Sequence, residues 1–284
     1  DEELLKNTPV KFVGTATIGT DHIDLDYLKK NNIIFADAKG CNAFSVAEYV
    51  VAALLNFSVK YDFSLKDKSI GIVGVGNVGS KVATFAEALG MNVLLNDPPL
   101  QRNGDRRNFF KLDEILECDI VTLHVPLNPN GINKTHHLFD KKILSRLKND
   151  TILINSSRGA VINNLDLYDS IEKKNLKVVL DVWENEPEIN VELLNKVLIG
   201  TPHIAGYSYE GKVIGTKMIY DSLCNFLEAE KSFSFKLETP QNSIKQFDEF
   251  NKLEIGLNDL ISNIYSIQDD DNRMRKIIVM NKNE

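Results

Sequence analysis

Short β-branched or apolar runs alternate along this chain with longer stretches whose apolar residues recur at helical spacing. The runs that predict strands are residues 10–16, 33–36, 69–75, 92–96, 120–125, 151–155, 177–181 and 197–200. Six of them fall between Ser69 and Gly200, separated by helix-length spacers, and several are continuously apolar, as in Ile70-Gly71-Ile72-Val73 and Val178-Val179-Leu180. Continuous runs of this kind belong to strands covered on both faces, as in a parallel sheet with helices on either side. In such a doubly wound α/β fold, ligands bind outside the carboxyl ends of the strands, so functional residues are expected there.

Two longer helical patterns lie outside this block. Ser45-Val46-Ala47-Glu48 has the spacing of a capping box and predicts a helix to about Phe57. That helix is apolar nearly all round, which suggests burial between domains. Residues 210–228 place Ile214, Met218, Ile219, Leu223, Phe226 and Leu227 on one side of a second helix. A polar stretch at 238–243 then breaks the pattern before a tail, 247–284, in which Leu253, Leu257, Leu260, Ile261 and Ile264 are in helical register. The tail is expected to be a third small element.

The chain has 284 residues, 43% of them hydrophobic and 26% charged, a globular composition long enough for about two domains. A net charge of −7 and the lack of any Lys/Arg-rich run argue against a nucleic-acid partner. The longest apolar stretch, residues 49–55, is shorter than a membrane-spanning helix requires, so no membrane partner is expected. Three widely spaced cysteines, Cys41, Cys118 and Cys224, suit a reducing compartment, and a cytoplasmic location is expected.

The most specific local motif is Gly74-Val75-Gly76-Asn77-Val78-Gly79, set between a predicted strand and a predicted helix. In a dinucleotide fingerprint Gly74 makes the tight turn, Gly76 lets the backbone approach a pyrophosphate, and Gly79 lets helix and strand pack closely. Asp97 follows Gly79 by 97 − 79 = 18 residues, near the spacing of a carboxylate that bonds the ribose 2′-hydroxyl, and its charge favours NAD over NADP. Val125, at one later strand end, and Ser156 and Ser157, at the next, fall on the same side of the sheet. So does Asp181, which could accept from the nicotinamide amide or simply cap the segment that follows.

Three residues with reactive side chains also follow strands on that side: Arg158, Glu186 and His203. A guanidinium is a two-pronged donor for a carboxylate, and a histidine beside a glutamate is an acid–base pair suited to moving a hydroxyl proton. Taken singly, each has a structural alternative: a surface ion pair for Arg158, a loop carboxylate for Glu186, a turn histidine for His203. His136-His137 lacks the spacing of a metal site and has no acidic neighbour in sequence, so both read as surface histidines and no metal is expected. His22 reads as a cap or supporting contact, and Cys41 as an inert buried thiol.

Four ordered motifs resemble the D-2-hydroxyacid dehydrogenase family: the glycine motif with Asp97, residues 155–161, residues 181–187, and Thr201-Pro202-His203-Ile204-Ala205-Gly206. The match is closest to members that act on a small phosphorylated hydroxy acid, through residues 12–22, 40–43, 97–99 and 203–212. The resemblance implies a Rossmann-type NAD domain (51–204) inserted in a smaller flavodoxin-like substrate domain (1–50 and 205–232), with a partial C-terminal dimerisation domain (235–284). It implies that Arg158 binds the substrate carboxylate, that His203 exchanges the proton and that Glu186 orients and charges His203. It places Asn77, Val78, Asp97, Val125, Ser156, Asp181 and Gly206 on NAD, puts Thr17 and Tyr207 on the substrate, and implies a homodimer. Members of the family carry roughly fifty residues ahead of the point where this chain starts, so a longer parent protein is expected. Another hydroxyacid dehydrogenase, such as one for 3-phosphoglycerate, and a non-catalytic NAD-sensing protein are the alternatives.

Overall fold

A computed structural model describes residues 1–234 and 253–281. The chain divides into two compact units, Asp1–Ser45 with Gly206–Gln246, and Val46–Ala205 with Phe247–Glu284.

The first unit begins with α1 (Glu2–Leu5), β1 (Phe12–Thr15), α2 (Leu25–Lys30) and β2 (Ile34–Asp37). α3 (Ala43–Lys60) then carries the chain into the second unit, which continues as β3 (Ser69–Val73), α4 (Asn77–Ala88), β4 (Asn92–Asn96), α5 (Pro98–Arg102), α6 (Leu112–Ile115), β5 (Ile120–Leu123) and α7 (Lys141–Leu144). It goes on through β6 (Ile152–Asn155), α8 (Asn164–Lys174), β7 (Lys177–Leu180), α9 (Val191–Lys196) and β8 (Ile199–Gly200). α10 (Tyr209–Phe226) returns to the first unit, and α11 (Leu253–Ile264) and α12 (Ile267–Asn281) close the described chain.

In the first unit β1 and β2 pair in parallel and α10 packs on both. The approach depends on small residues: a Cβ at Gly14 would lie 2.6 Å from Ile219 Cγ2, and one at Gly215 would lie 3.3 Å from both the Ala16 carbonyl and Cys41 Sγ. Ser208 caps α10 by accepting from Gly211 N (3.0 Å). Ser45 has a different role from the expected cap, because α3 already starts at Ala43. Its hydroxyl instead lies 2.6 Å from that of Ser208 and ties the start of α3 to the cap of α10.

The second unit holds a six-stranded, wholly parallel sheet in the order β4-β3-β5-β6-β7-β8. All six predicted strands of the block are present. Their continuous apolar runs are buried on both faces, fully so along β5 and β6. The order reverses at β3, so the crevice outside β3 and β5 is the switch point at which ligands bind in doubly wound sheets. α3 has the length and hydropathy of a membrane span but is mostly buried in protein, with Val50, Leu54, Leu55 and Phe57 in the core.

Residues 235–252, including the polar break at 238–243, lie outside the described residues, while 253–281 form two helices that group with the sheet unit. Glu254 of α11 accepts from Ser64 Oγ (2.6 Å) and Leu65 N (3.1 Å). Asp271 of α12, 2% exposed, accepts from Gly200 N (2.8 Å), and Arg275 bonds Asp271 and the carbonyls of Leu194 (2.7 Å) and Val197 (3.1 Å). α12 therefore satisfies the backbone at β8, whose outer edge would otherwise be open. Asp271→Ala would leave a buried N–H without its acceptor and the Arg275 guanidinium without its counter-charge, and should cost about 2–4 kcal/mol in urea unfolding. An unchanged midpoint would show that α12 is dispensable to the sheet.

Candidate active site

The glycine motif follows β3. Gly74 has φ +87°, and a Cβ there would sit 2.6 Å from the His124 carbonyl oxygen, so only glycine fits. A Cβ at Gly79 would come within 2.0 Å of the Gly74 carbonyl oxygen, which makes glycine the condition for α4 to lie this close to the strand. Around Gly76 the space is open for 4 Å, and no side chain caps α4, whose first residues are Asn77 and Val78. Asp97 holds this loop: one oxygen accepts from Val75 N (2.8 Å), and the other caps α5 through Leu100 N (3.0 Å). Val125 flanks it, its Cγ1 standing 2.7 Å from where a Gly74 Cβ would be.

These features fit a dinucleotide. The loop leaves a cradle that a Cβ at Gly76 would fill, the uncapped helix start offers N–H donors to phosphate oxygens, and the Ser156 hydroxyl, buried at the end of β6, has no hydrogen-bond partner. Ser157 is different from its neighbour: its hydroxyl (2.9 Å) and amide (3.1 Å) both donate to Asn155 Oδ1, so its donors shape the loop. Gly76→Val would fill the cradle. NAD affinity measured by calorimetry should fall about tenfold or more while the circular dichroism spectrum is unchanged.

Two residues here escaped sequence reading. Arg107 pairs with Asp105 (2.7 Å), donates to Ser80 Oγ (3.1 Å) and feels the charge of Asp97. His124 follows β5, sharing a hydrogen bond with Thr122 Oγ1 (2.9 Å), and burial pushes its pKa down to about 3, which keeps it neutral. Neither has a sequence signature, since the burial of His124 and the contacts of Arg107 with Ser80 and Asp97 arise only in the fold.

Arg158, Glu186 and His203 are brought together by the ends of β6, β7 and β8. His203 Nδ1 lies 2.7 Å from Glu186 Oε1, so Nδ1–H donates to the carboxylate and Nε2 is left for a substrate hydroxyl. The Glu186 hydrogen bond raises the His203 pKa against the opposing effect of burial, and the Asp181 charge adds to the rise while Arg158 works against it. Burial pushes Glu186 up, but the His203 hydrogen bond and charge outweigh it and hold the carboxyl below its usual range. The Arg158 charge reaches both partners, and its Nη1 donates to the Ser157 carbonyl (2.7 Å).

His203 has φ +58°, a left-handed conformation that a non-glycine residue adopts only under constraint. The constraint comes from Asp181. Its backbone carbonyl accepts from His203 N (2.7 Å), and its carboxylate accepts from Thr201 Oγ1 (2.6 Å), Ile204 N (2.8 Å) and Ala205 N (2.9 Å). At 1% exposure and with three donors on two oxygens, Asp181 is above all the anchor of the histidine turn, a role that neither sequence reading of it anticipated. Tyr49 OH and Thr201 Oγ1 (2.7 Å) and the Trp183 indole N–H to the Thr201 carbonyl (2.9 Å) extend the support.

A family profile described as the D-isomer specific 2-hydroxyacid dehydrogenase, NAD binding domain, matches residues 54–205. The chain belongs to this family. As a D-2-hydroxyacid dehydrogenase it is an NAD-dependent oxidoreductase that acts on a CH–OH group. Erythronate-4-phosphate dehydrogenase of Psychromonas ingrahamii is 47% identical over 281 residues, 98% of this chain and 73% of the relative. That of Proteus mirabilis is 46% identical over 277 residues, 96% of this chain and 74% of the relative. Among solved structures, NAD-dependent formate dehydrogenase from Staphylococcus aureus in complex with NAD has TM-score 0.64 at 28% identity, over 76% of this chain and 72% of that one. NAD-bound 3-phosphoglycerate dehydrogenase from Entamoeba histolytica has TM-score 0.68 at 26% identity, over 80% and 76%.

The remaining expected site residues of this dehydrogenase lie in the first unit. Gly206 accepts through its carbonyl from Asn42 Nδ2 (3.1 Å). Thr17 donates to the Gly19 carbonyl (2.9 Å) and accepts from Thr15 (2.7 Å), so its hydroxyl is already engaged within its own turn. Tyr207 is 71% exposed, and Lys212 Nζ lies 3.5 Å above its ring, which with their hydrogen bond lowers the phenol's pKa. Lys212 is a local cation within the first unit, set against Tyr207 by the start of α10.

The histidine pair also reads differently in the fold. His137 Nε2 lies 2.5 Å from Glu184 Oε1, so an acidic partner is present after all, 47 residues away in sequence. His136, His137 and Glu184 place one ligand-type atom each within 4.8 Å of one another, the one such group among the described residues. The two imidazoles stack, with centroids 3.9 Å apart and 28° between planes, and His137 Nε2 is taken up by Glu184.

Proposed function

We propose that this dehydrogenase oxidises 4-phospho-D-erythronate at C2 to (R)-3-hydroxy-2-oxo-4-phosphooxybutanoate, a reaction on the route to pyridoxal 5′-phosphate. The observation that carries the chemistry is the His203–Glu186 pair at 2.7 Å with Arg158 beside it. The substrate assignment rests on relatives 45–47% identical that carry the name erythronate-4-phosphate dehydrogenase.

Arg158 binds the substrate carboxylate, which fixes the C2 hydroxyl towards His203. His203 Nε2 accepts the hydroxyl proton, and Glu186 stabilises the imidazolium that results. NAD, when bound on the glycine loop, supplies the hydride acceptor. Asp181 keeps the His203 backbone in its left-handed turn while the ring changes charge. On the family resemblance, Thr17 and Tyr207 are the further residues we assign to the substrate.

The deciding experiment is a panel of hydroxy acids with NAD, followed at 340 nm. Preference for erythronate 4-phosphate supports the proposal, and preference for 3-phosphoglycerate replaces its substrate. NAD binding without turnover on any acid would favour a sensing role. A homodimer and a cytoplasmic location are part of the same proposal, supported by the family resemblance and by the absence of disulfides among Cys41, Cys118 and Cys224.

A further inference from the structure

The chain holds a second histidine–carboxylate pair beside the reacting one, and the two share a loop. Glu184 and Glu186 are separated by one residue after β7: Glu186 takes His203, and Glu184 takes His137. His137 arrives from the segment before α7, and its contacts go to both loops that carry reacting groups. Its backbone N–H donates to the Ala160 carbonyl (2.8 Å), two residues beyond Arg158. Its ring bonds Glu184, two residues before Glu186.

The surroundings leave this clamp little freedom. Asn163 Oδ1 caps α8 by accepting from Leu165 N (3.1 Å) and Asp166 N (3.0 Å), which turns Nδ2 towards His137 Nδ1 (3.4 Å). Nδ1 is then the acceptor, and Nε2–H donates to Glu184. The other Glu184 oxygen accepts from Asn164 N (3.0 Å), and Glu184 N donates back to Asn164 Oδ1 (3.2 Å). The loops themselves touch: a Cβ at Gly159 would lie 1.9 Å from the Trp183 carbonyl carbon and 2.4 Å from Glu184 N. Trp183 N in turn reaches the second oxygen of Glu186 (3.3 Å).

We propose that His137 and Glu184 are positioning residues that hold the Arg158 loop and the Glu186 loop in register, so that Glu186 stays on His203 Nδ1. The proposal rests on Arg158, Glu186 and His203 being the reacting groups. A displacement of about 1 Å in such a constellation is enough to lower turnover as much as 100-fold. The charged groups acting on His203 are Glu186, Asp181 and Arg158, and the titratable groups gathered at the clamp are His136, His137 and Glu184.

The test uses the whole chain with His137→Ala and His137→Gln, the second keeping a donor for Glu184. The five histidines, His22, His124, His136, His137 and His203, are few enough to titrate individually by NMR, with His203 assigned by its loss in His203→Gln. We expect His137→Ala to move the His203 midpoint down and to lower kcat/KM about 10- to 100-fold through kcat, with His137→Gln restoring both to within about threefold. A His203 midpoint unchanged in His137→Ala overturns the proposal, whatever happens to the urea midpoint. If wild-type protein turns over no hydroxy acid but the His203 midpoint still moves, the proposed activity fails while the positioning role stands. The NMR readout thus separates the two.

Discussion

His203→Gln should lower kcat for NAD-dependent oxidation by roughly 10²- to 10⁴-fold, the range associated with losing a general base, while leaving NAD affinity unchanged. Glutamine keeps a donor for Glu186 but cannot accept a proton, so the loss isolates the proton transfer. A variant that turns over normally would remove His203 from the mechanism. The pH dependence has a definite sign. Oxidation needs neutral His203, and its pairing with Glu186 raises its pKa above the usual value of about 6.5. Oxidation should therefore rise through a midpoint above 6.5, and the reverse reduction, which needs the imidazolium, should fall through the same midpoint. Glu186→Gln removes the largest cause of the rise and should shift that midpoint down.

Arg158→Gln should lower kcat/KM about 10²- to 10³-fold. A two-pronged guanidinium–carboxylate contact comprises two charge-assisted hydrogen bonds at about 1.5–3 kcal/mol each, of which a neutral amide recovers only part. KM should rise and kcat fall together, because the carboxylate contact both binds the acid and orients its C2 hydroxyl. Arg158→Lys should recover only part of the loss, since an ammonium keeps the charge without the planar fork. A second signature separates this variant from Glu186→Gln. The Arg158 charge opposes protonation of His203, so its removal should move the midpoint up, in the opposite direction. A loss of activity with NAD affinity falling in parallel would mean that Arg158 serves the cofactor and not the substrate.

The three residues we propose as reacting groups could be picked out because each follows a buried parallel strand, where this fold class collects its ligands. Their supports could not. Asp181 stands at a strand end like the others and reads equally well as a cofactor contact or a cap. Only the turn at 201–205, folded back over it, shows that its carboxylate holds Thr201, Ile204 and Ala205 on either side of His203 while its backbone carbonyl takes His203 N. Ser156 and Ser157 are indistinguishable in sequence, and the Asn155 side chain decides which hydroxyl is engaged. The spacing at Ser45 to Glu48 satisfies a cap motif, yet the helix starts earlier and Ser45 bonds Ser208 instead.

By itself, the sequence determined the parallel sheet, the glycine loop and the strand ends that bear Arg158, Glu186 and His203. Those features are local: continuous apolar runs, a glycine at each crowded backbone position, and a side chain's distance from the end of a strand. The tertiary structure alone decided that α12 closes the β8 edge, that Asp181 anchors the histidine turn and that Glu184 finds His137. Each of these depends on two segments far apart in the chain meeting at hydrogen-bond distance. A one-dimensional pattern records which residues can bond, and the packing of loops over the sheet selects the partner.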